Sequence, residues 1–299
     1  MWDIPEVVRN KAITVGAESW LAELPELVSH FEQAWNFSIG AVYDGGTEAF
    51  VAEANEASGR LAVVKLLIPR NGINPAREIA VLERAGGRSC AELYRSDAHA
   101  GAMLIERLGP SLFDLGVSFE QRREVLADLA TKFWRPPTGM DLPSGEVKAA
   151  WLSNAVELWW HELGEPCSRR AVDHALDCAA KRGAAHATAD PVLVHGDIHQ
   201  WNALRSSTGF KLVDPDGLVA EPEYDLGVLM REDPLELLAD GDPRSRSTWL
   251  ANRTGCDEQA IWEWGVVERV STGLIASKID LQPVGAEMLH AADMIAAQS

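Results

Sequence analysis

Apolar and polar positions follow two rhythms along this chain, and the change between them falls near residue 108. Residues 18–34 read as a helix interrupted by Pro25. Strand-like runs follow at 37–43 (FSIGAVY), 48–54 (EAFVAEA) and 61–68 (LAVVKLLI), punctuated by Gly45-Gly46 and Ser58-Gly59. Asn74-Pro75 supplies an N-cap and a first-turn proline for a helix that Gly86 stops. Two more strand-like runs lie at 91–97 and 102–108. Beyond them helical spacing takes over. Ser118 and Gln121 form a capping box ahead of Val125, Leu126, Leu129 and Phe133, and Pro136-Pro137 ends that helix. Helices are predicted over 144–162 and 168–183, and again towards the carboxyl end. Between them lies a compact β-rich insert, PVLVHGDIHQWNAL, a Thr208-Gly209 turn and FKLVDPDG. The expected fold class is α+β, with a small β-rich lobe over 1–108 and a large, mostly helical lobe over 109–299.

Composition narrows the function. The 299 residues are 46% hydrophobic and 24% charged, enough apolar material for a sizeable core, with a formal net charge of −18. A nucleic-acid binder needs a basic face for phosphates, and a membrane-surface protein needs one for anionic lipid, so neither partner is expected. A cationic ligand suits the charge. The stretch 214–242 holds ten Asp and Glu against one base, Arg231, and so carries half of the net charge. It reads either as an attractive field for a cationic acceptor or as a solvated surface. No apolar run approaches the ~18 residues of a membrane span. The amino-terminal residues show neither the basic nor the apolar region of a secretory leader. Cys90, Cys167, Cys178 and Cys256 are scattered, offering neither zinc spacing nor a disulfide frame, and a reducing cytoplasm is the expected compartment.

The chemistry concentrates in His195-Gly196-Asp197-Ile198-His199-Gln200-Trp201-Asn202, with Asp214 twelve residues after Asn202. Phosphoryl transfer needs a carboxylate to orient the attacking hydroxyl, and oxygen ligands to hold Mg²⁺ on the phosphates. An apolar strand at 192–194 delivering Asp197 and Asn202, and a second ending in Asp214, supply both in kinase spacing. Lys65 is embedded in LAVVKLLI, so its stem must lie among apolar side chains and its charge wants a partner. Glu78 stands one turn into the capped helix, where it can face a strand. Most of the tryptophans in the second half are expected in the core, whereas Trp201, inside the loop, is available for stacking on an acceptor.

The H-G-D-x-x-x-x-N loop, the strand-end Asp214 and Glu221-Pro222-Glu223-Tyr224-Asp225 resemble the aminoglycoside phosphotransferase family. The D-P-x-G after the second strand, Arg231, ESWLAELPELV (18–28) and LIERL (104–108) resemble its streptomycin 6-phosphotransferase and hydroxyurea kinase branch. The resemblance implies a two-lobed protein-kinase-like fold with its active site in the cleft, using ATP and Mg²⁺ to phosphorylate a small-molecule hydroxyl. It implies Asp197 as catalytic base and Asn202 and Asp214 as magnesium ligands. It further implies Lys65, paired with Glu78, on the α- and β-phosphates. Gly45, Gly46 and Thr47 take the place of the phosphate-covering loop, and Glu106 to Leu108 that of the adenine hinge. The chain departs from common patterns in lacking G-x-G-x-x-G and P-loop motifs, and in placing Asp216 where a base is expected in relatives.

Two other classes are weighed against this reading. A histidine- and aspartate-based metal hydrolase would use His195, Asp197 and His199 but leave Asn202, Asp214, Lys65 and Glu78 unemployed. An idle nucleotide-binding module would lack a base, a metal ligand or the lysine, and all are present. The two histidines are therefore expected to brace the loop by hydrogen bonds.

Overall fold

The computed structural model describes all residues except Met1, Ile73, Asp240 and Ser299. By its contacts the chain divides into two units, Met1–Gly109 and Pro110–Ser299.

The first unit opens with α1 (Glu6–Thr14) and α2 (Glu18–Trp35) and continues into strands β1 (Phe37–Val42), β2 (Ala49–Glu56) and β3 (Leu61–Leu67). Helix α3 (Pro75–Ala85) precedes β4 (Leu93–Asp97) and β5 (Ala102–Glu106). The five strands form one antiparallel sheet in the order β1-β2-β3-β5-β4. Trp20, Leu24, Val28 and Phe31 recur at helical spacing on α2 and are buried against Phe50, Ala52, Val64 and Leu66 of the sheet. Each such side chain is worth roughly 1.5–3 kcal/mol when fully buried.

Helix α2 runs unbroken through Pro25, against the expected interruption. The proline ring lies on the exposed face, where water can take the carbonyl that the missing N–H leaves free. Because Ala62, Val64 and Leu66 face the α2 core, strand alternation sends Lys65 to the opposite face of β3. Asn74 caps α3 as expected, accepting the Ala76 N–H at 3.1 Å.

The second unit contains α4 (Phe119–Phe133), α5 (Gly145–Glu162) and α6 (Arg169–Ala185). The β insert follows as β6 (Val192–Val194), β7 (Ala203–Ser206), β8 (Gly209–Leu212) and β9 (Leu218–Ala220). Then come α7 (Glu223–Met230), α8 (Pro234–Ala239), α9 (Arg244–Thr254), α10 (Glu258–Lys278) and α11 (Val284–Ala296). Ser118, Ser144, Ser168 and Asp257 each accept a backbone N–H as side-chain N-caps of α4, α5, α6 and α10. The insert is two antiparallel pairs, β6 with β9 and a β7–β8 hairpin, so the loop carrying Asp197 runs from one pair to the other.

Helix α10 is buried on nearly every side and is the central element of this unit. Helix α7 reaches it through glycines. A Cβ on Gly227 would lie 2.2 Å from Trp264 Cβ, and one on Gly265 would lie 2.5 Å from Met230 Cβ. No helix among the described residues is long and apolar enough to cross a membrane.

The Gly227 contact is backbone against backbone as well, with Trp264 C at 2.9 Å from the built Cβ, so it cannot be relieved by a rotamer change. Gly227→Ala is expected to destabilise the protein by about 1–3 kcal/mol, the usual cost of overpacking, read as a lower urea midpoint at an unchanged m-value. A midpoint equal to wild type would show that the helices can separate without loss.

Candidate active site

The loop after β6 is built around a buried carboxylate. Asp225 of α7 has no solvent exposure, and its oxygens accept the N–H groups of His195 at 3.0 Å and Gly196 at 2.8 Å, and the Trp134 indole N–H at 3.0 Å. Gly196 itself is at φ +91°, and a Cβ there would stand 2.9 Å from Asp216 Cβ, so the turn requires glycine.

His195 is fully buried and packs edge-on against Phe133. Its Nδ1 accepts the Asp197 N–H at 3.3 Å and its Nε2 lies 3.0 Å from the Val213 carbonyl, which selects the neutral ring protonated at Nε2. Burial, the largest influence, pushes its pKa from a histidine's usual 6.5 down to about 4. His199 is similarly committed, with Nδ1 accepting the Trp201 N–H at 3.2 Å and Nε2 at 3.2 Å from Asp197 Oδ2. Both histidines brace the loop, and neither has a ring nitrogen to spare for a metal.

Asp197 is one-third exposed and held by two partners. Arg231, which follows α7, donates Nη2 to Asp197 Oδ1 at 2.5 Å, and His199 holds the other oxygen. Burial alone would raise this carboxyl. The Arg231 charge and the His199 bond override it and keep it well below the usual carboxylate range. Arg231 is fixed in turn by α10, donating Nη1 to Glu268 Oε2 at 2.9 Å and to Thr272 Oγ1 at 3.2 Å, and Tyr224 donates its hydroxyl to Glu268 Oε1 at 2.6 Å. In the sequence Arg231 stood as the one base of the acidic stretch and as part of a resemblance, with no sign of its partners. Glu268 and Thr272 carried no signal there, because nothing in the sequence pairs positions 34 to 41 residues apart.

The remaining second-unit candidates lie beside Asp197. The Asn202 side-chain N–H₂ donates to the Asp197 carbonyl at 3.1 Å, leaving its Oδ1 uncommitted among the described residues. The Val213 N–H donates to the Asn202 carbonyl at 2.9 Å, which sets the register that carries Asp214. Asp214 is exposed, at φ +56°, just past the end of β8. An amide oxygen and a carboxylate make a sparse hard-oxygen set. That donor chemistry fits Mg²⁺, which keeps several waters and phosphate oxygens as ligands, and does not fit a closed all-protein cage. No group of three or more His, Cys, Asp or Glu among the described residues is arranged to hold a metal.

In the first unit, Lys65 is 6% exposed and its Nζ lies 2.6 Å from Glu78 Oε1, so strand β3 and helix α3 share a nearly buried ion pair. Gly45, Gly46 and Thr47 form the β1–β2 connection, and a Cβ on Gly46 would stand 2.6 Å from the Ala49 carbonyl oxygen. Glu106 ends β5 with its N–H on the Glu92 carbonyl at 2.8 Å and its carboxylate on the Glu92 N–H at 3.1 Å, and Leu108 follows, half-buried.

Part of the acidic stretch at 214–242 is consumed internally. Glu221 pairs with Arg182 and Trp264, Glu223 accepts the Asp257 N–H, Asp225 holds the loop, and Asp233 pairs with Arg122. Asp214 and Asp216 are the exposed ones next to the loop. Asp216 faces Lys148 Nζ at 3.8 Å. Desolvation by the surrounding protein raises its carboxyl, Lys148 opposes that, and Asp197 and Glu268 add to it. Trp201 is exposed and lies 5.0 Å from exposed Phe113, centroid to centroid.

Residues 38–273 match the family described as aminoglycoside/hydroxyurea antibiotic resistance kinase. The chain belongs to that family. The matched span takes in Lys65, Glu78, Asp197, Asn202 and Asp214, and leaves α1, α2 and α11 outside it. Within the streptomycin 6-phosphotransferase and hydroxyurea kinase branch, similar proteins include a hydroxyurea phosphotransferase of Kitasatospora aureofaciens, 29% identical over 68% of this chain and 59% of that protein. A streptomycin 6-kinase of Streptomyces glaucescens is 27% identical over 75% of this chain and 73% of that protein. The match thus spans less than two thirds of the hydroxyurea phosphotransferase's length. Among solved structures, a choline kinase of Streptococcus pneumoniae aligns with a TM-score of 0.60 at 13% identity, over 93% of this chain and 100% of that one. A thermostable mutant of aminoglycoside phosphotransferase APH(4)-Ia, in complex with AMP-PNP and hygromycin B, aligns with a TM-score of 0.63 at 12% identity, over 91% of this chain and 97% of that one. At those identities the likeness concerns the fold, which is protein-kinase-like with a small β-rich lobe and a larger helical one.

The neutral His195 ring makes the loop sensitive to acid. Its folded pKa of about 4 lies below the unfolded 6.5, so the unfolded chain binds the extra proton between those values. Stability is therefore fully present above pH 6.5 and is lost as pH falls towards 4, by about 1.4 kcal/mol per unit. Urea midpoints between pH 7 and 4 are expected to fall more steeply for wild type than for His195→Asn. Parallel curves would show that this ring does not carry the effect.

Proposed function

We propose that this chain is an ATP- and Mg²⁺-dependent kinase that phosphorylates a hydroxyl of a small, cationic molecule of the aminoglycoside class, with streptomycin as the leading acceptor. The observation that carries the reading is the Asp197 carboxylate, held ionised between Arg231 and His199 with Asn202 alongside. Mg²⁺, when bound, would neutralise phosphate charge and align the transferring group. Asn202 Oδ1 and Asp214 are the groups that would hold it.

On this reading Asp197 orients the acceptor hydroxyl. The hydroxyl oxygen forms the new bond to the γ-phosphorus, the bond to the bridging oxygen of ADP breaks, and the hydroxyl proton passes to Asp197. A carboxylate kept so acidic is a weak base, which suits a loose transition state in which the proton leaves late. Its contribution is therefore mostly positioning. Lys65, aimed by Glu78, would meet the α- and β-phosphates, the β1–β2 connection at Gly45, Gly46 and Thr47 would cover them, and the backbone from Glu106 to Leu108 would meet adenine.

The acceptor class rests on the groups around Asp197. Asp216 is open to solvent, and Trp201 with Phe113 offers an exposed aromatic face on which a guanidinium can stack. A second reading, phosphorylation of hydroxyurea, is supported by the relative of that name and by Lys148, whose charge beside Asp216 lessens the selection for a cation.

The test is ADP release with Mg-ATP across streptomycin, other aminoglycosides and hydroxyurea. Acceptor-dependent release with a cationic acceptor is expected, and release with hydroxyurea alone selects the second reading. Asp197→Ala is expected to lower kcat by about 10²- to 10⁴-fold while nucleotide affinity changes little. A near-normal rate in that variant, or no stimulation by any acceptor, overturns the assignment.

A further inference from the structure

A cavity of about 450 Å³ lies in the second unit among α6, the turn entering α9, α10 and the end of α11, and it contains none of the candidate catalytic residues. That volume falls within the range of sites that hold small organic ligands. Its floor is apolar and buried, formed by Cys178, Trp262 and Ile295. Its rim is polar and exposed, and carries Lys181 and Arg244.

The two rim cations are only lightly committed. Arg244 lies over the Trp262 ring, 4.5 Å from its centroid, and donates one Nη1 bond to Gln259 Oε1 at 3.2 Å. Among the described residues no carboxylate pairs with its guanidinium. Among the described residues Lys181 Nζ pairs with Glu263 Oε1 alone, at 4.0 Å, and Glu263 is already held by Arg182 at 2.6 Å and by the Gln259 amide at 2.9 Å. Asp242, the one rim acid among the described residues, spends an oxygen on the Arg244 backbone N–H at 2.9 Å. His174, between floor and rim, is pushed below its ordinary pKa first by burial and then by the Lys181 and Arg244 charges, so it is neutral near pH 7 and adds a further polar group. The Trp262 Nε1–H, on a residue 4% exposed, has no partner among the described residues.

We propose that this cavity binds a small organic oxyanion, a carboxylate or phosphate group on an apolar body. The oxyanion lies against Arg244 and Lys181, and the body rests on the floor of Trp262, Cys178 and Ile295. An arginine whose planar fork is open to solvent meets such a group by two parallel hydrogen bonds, and a neighbouring ammonium adds a point charge. A chain with a net charge of −18 does not draw anions by its overall field, so recognition falls to these two local cations.

The test is isothermal titration of the full chain with phenyl phosphate, benzoate, inorganic phosphate and benzyl alcohol. Mg-AMP-PNP is kept saturating throughout, so that the nucleotide site does not report. Saturable binding of phenyl phosphate or benzoate is expected with a Kd of about 10 µM to 1 mM, weakened at least about tenfold in Arg244→Ala and again in Lys181→Ala. Both side chains are exposed, and an unchanged unfolding temperature without ligand verifies that each variant folds. Preference for phenyl phosphate or for benzoate identifies which oxyanion the site takes. No saturable binding of either, affinity unchanged in both variants, or inorganic phosphate or benzyl alcohol binding as tightly as the aromatic anions overturns the proposal.

Discussion

Asp225 is a carboxylate with no access to water, and its placement between three N–H donors decides where the whole loop after β6 can go. A buried carboxylate must be satisfied by hydrogen bonds or lose several kcal/mol, so the His195 and Gly196 amides and the Trp134 indole are drawn to it wherever the chain allows. Once they are seated, Gly196 is committed to its positive φ and His195 to the interior. The Asp197 N–H is committed to the His195 ring. The Asp197 side chain is then the first group of the loop to emerge. Burial pushes the Asp225 pKa to about 6 even against its three donors, so without those hydrogen bonds the ionised carboxylate would be harder still to hold here.

The second constraint is that Asp197 is paired rather than left free. A partly buried ion pair often does little for stability, since desolvation offsets the attraction. Here the pair belongs to a chain of charges, Asp197–Arg231–Glu268, that Tyr224 and Thr272 complete with hydrogen bonds. Such a chain fixes one rotamer for the carboxylate. It needs α7 and α10 close together, which is why glycines stand at 227 and 265 where the two helices meet. The closeness of two helices and the aim of one carboxylate are thus a single structural fact.

Much of this was legible along the chain, for identifiable reasons. Strand alternation and glycine punctuation located β1, β2 and β3 to within a residue or two, and Asn74-Pro75 marked the start of α3, because those signals are local. The spacing of Asp197, Asn202 and Asp214 was readable because a strand-loop-strand segment holds all three. Helix α1 gave little signal, since it buries only Val8 and Ala12. The unbroken course of α2 depended on which way Pro25 faces, which no pattern states. The charge count over 214–242 was correct as a count, but it did not reveal that Glu221, Glu223, Asp225 and Asp233 spend their charge inside the fold. Partners from distant segments, such as Arg182, Trp134 and Arg122, decide that.

Removing those committed acids changes how acceptor selection must work on the proposed reading. A broad negative field would collect any cation, whereas of the two exposed carboxylates beside the loop one is proposed for metal, which leaves Asp216 as the anion available to an acceptor. Lys148 already stands 3.8 Å from it, a loose contact with an exposed carboxylate worth about 0–1 kcal/mol. A lone ammonium would replace Lys148 with one of its own kind and gain little. A guanidinium can engage Asp216 through two parallel bonds, which Lys148 cannot do. On that reading planarity and paired donors, more than net charge, are the properties that would select an acceptor.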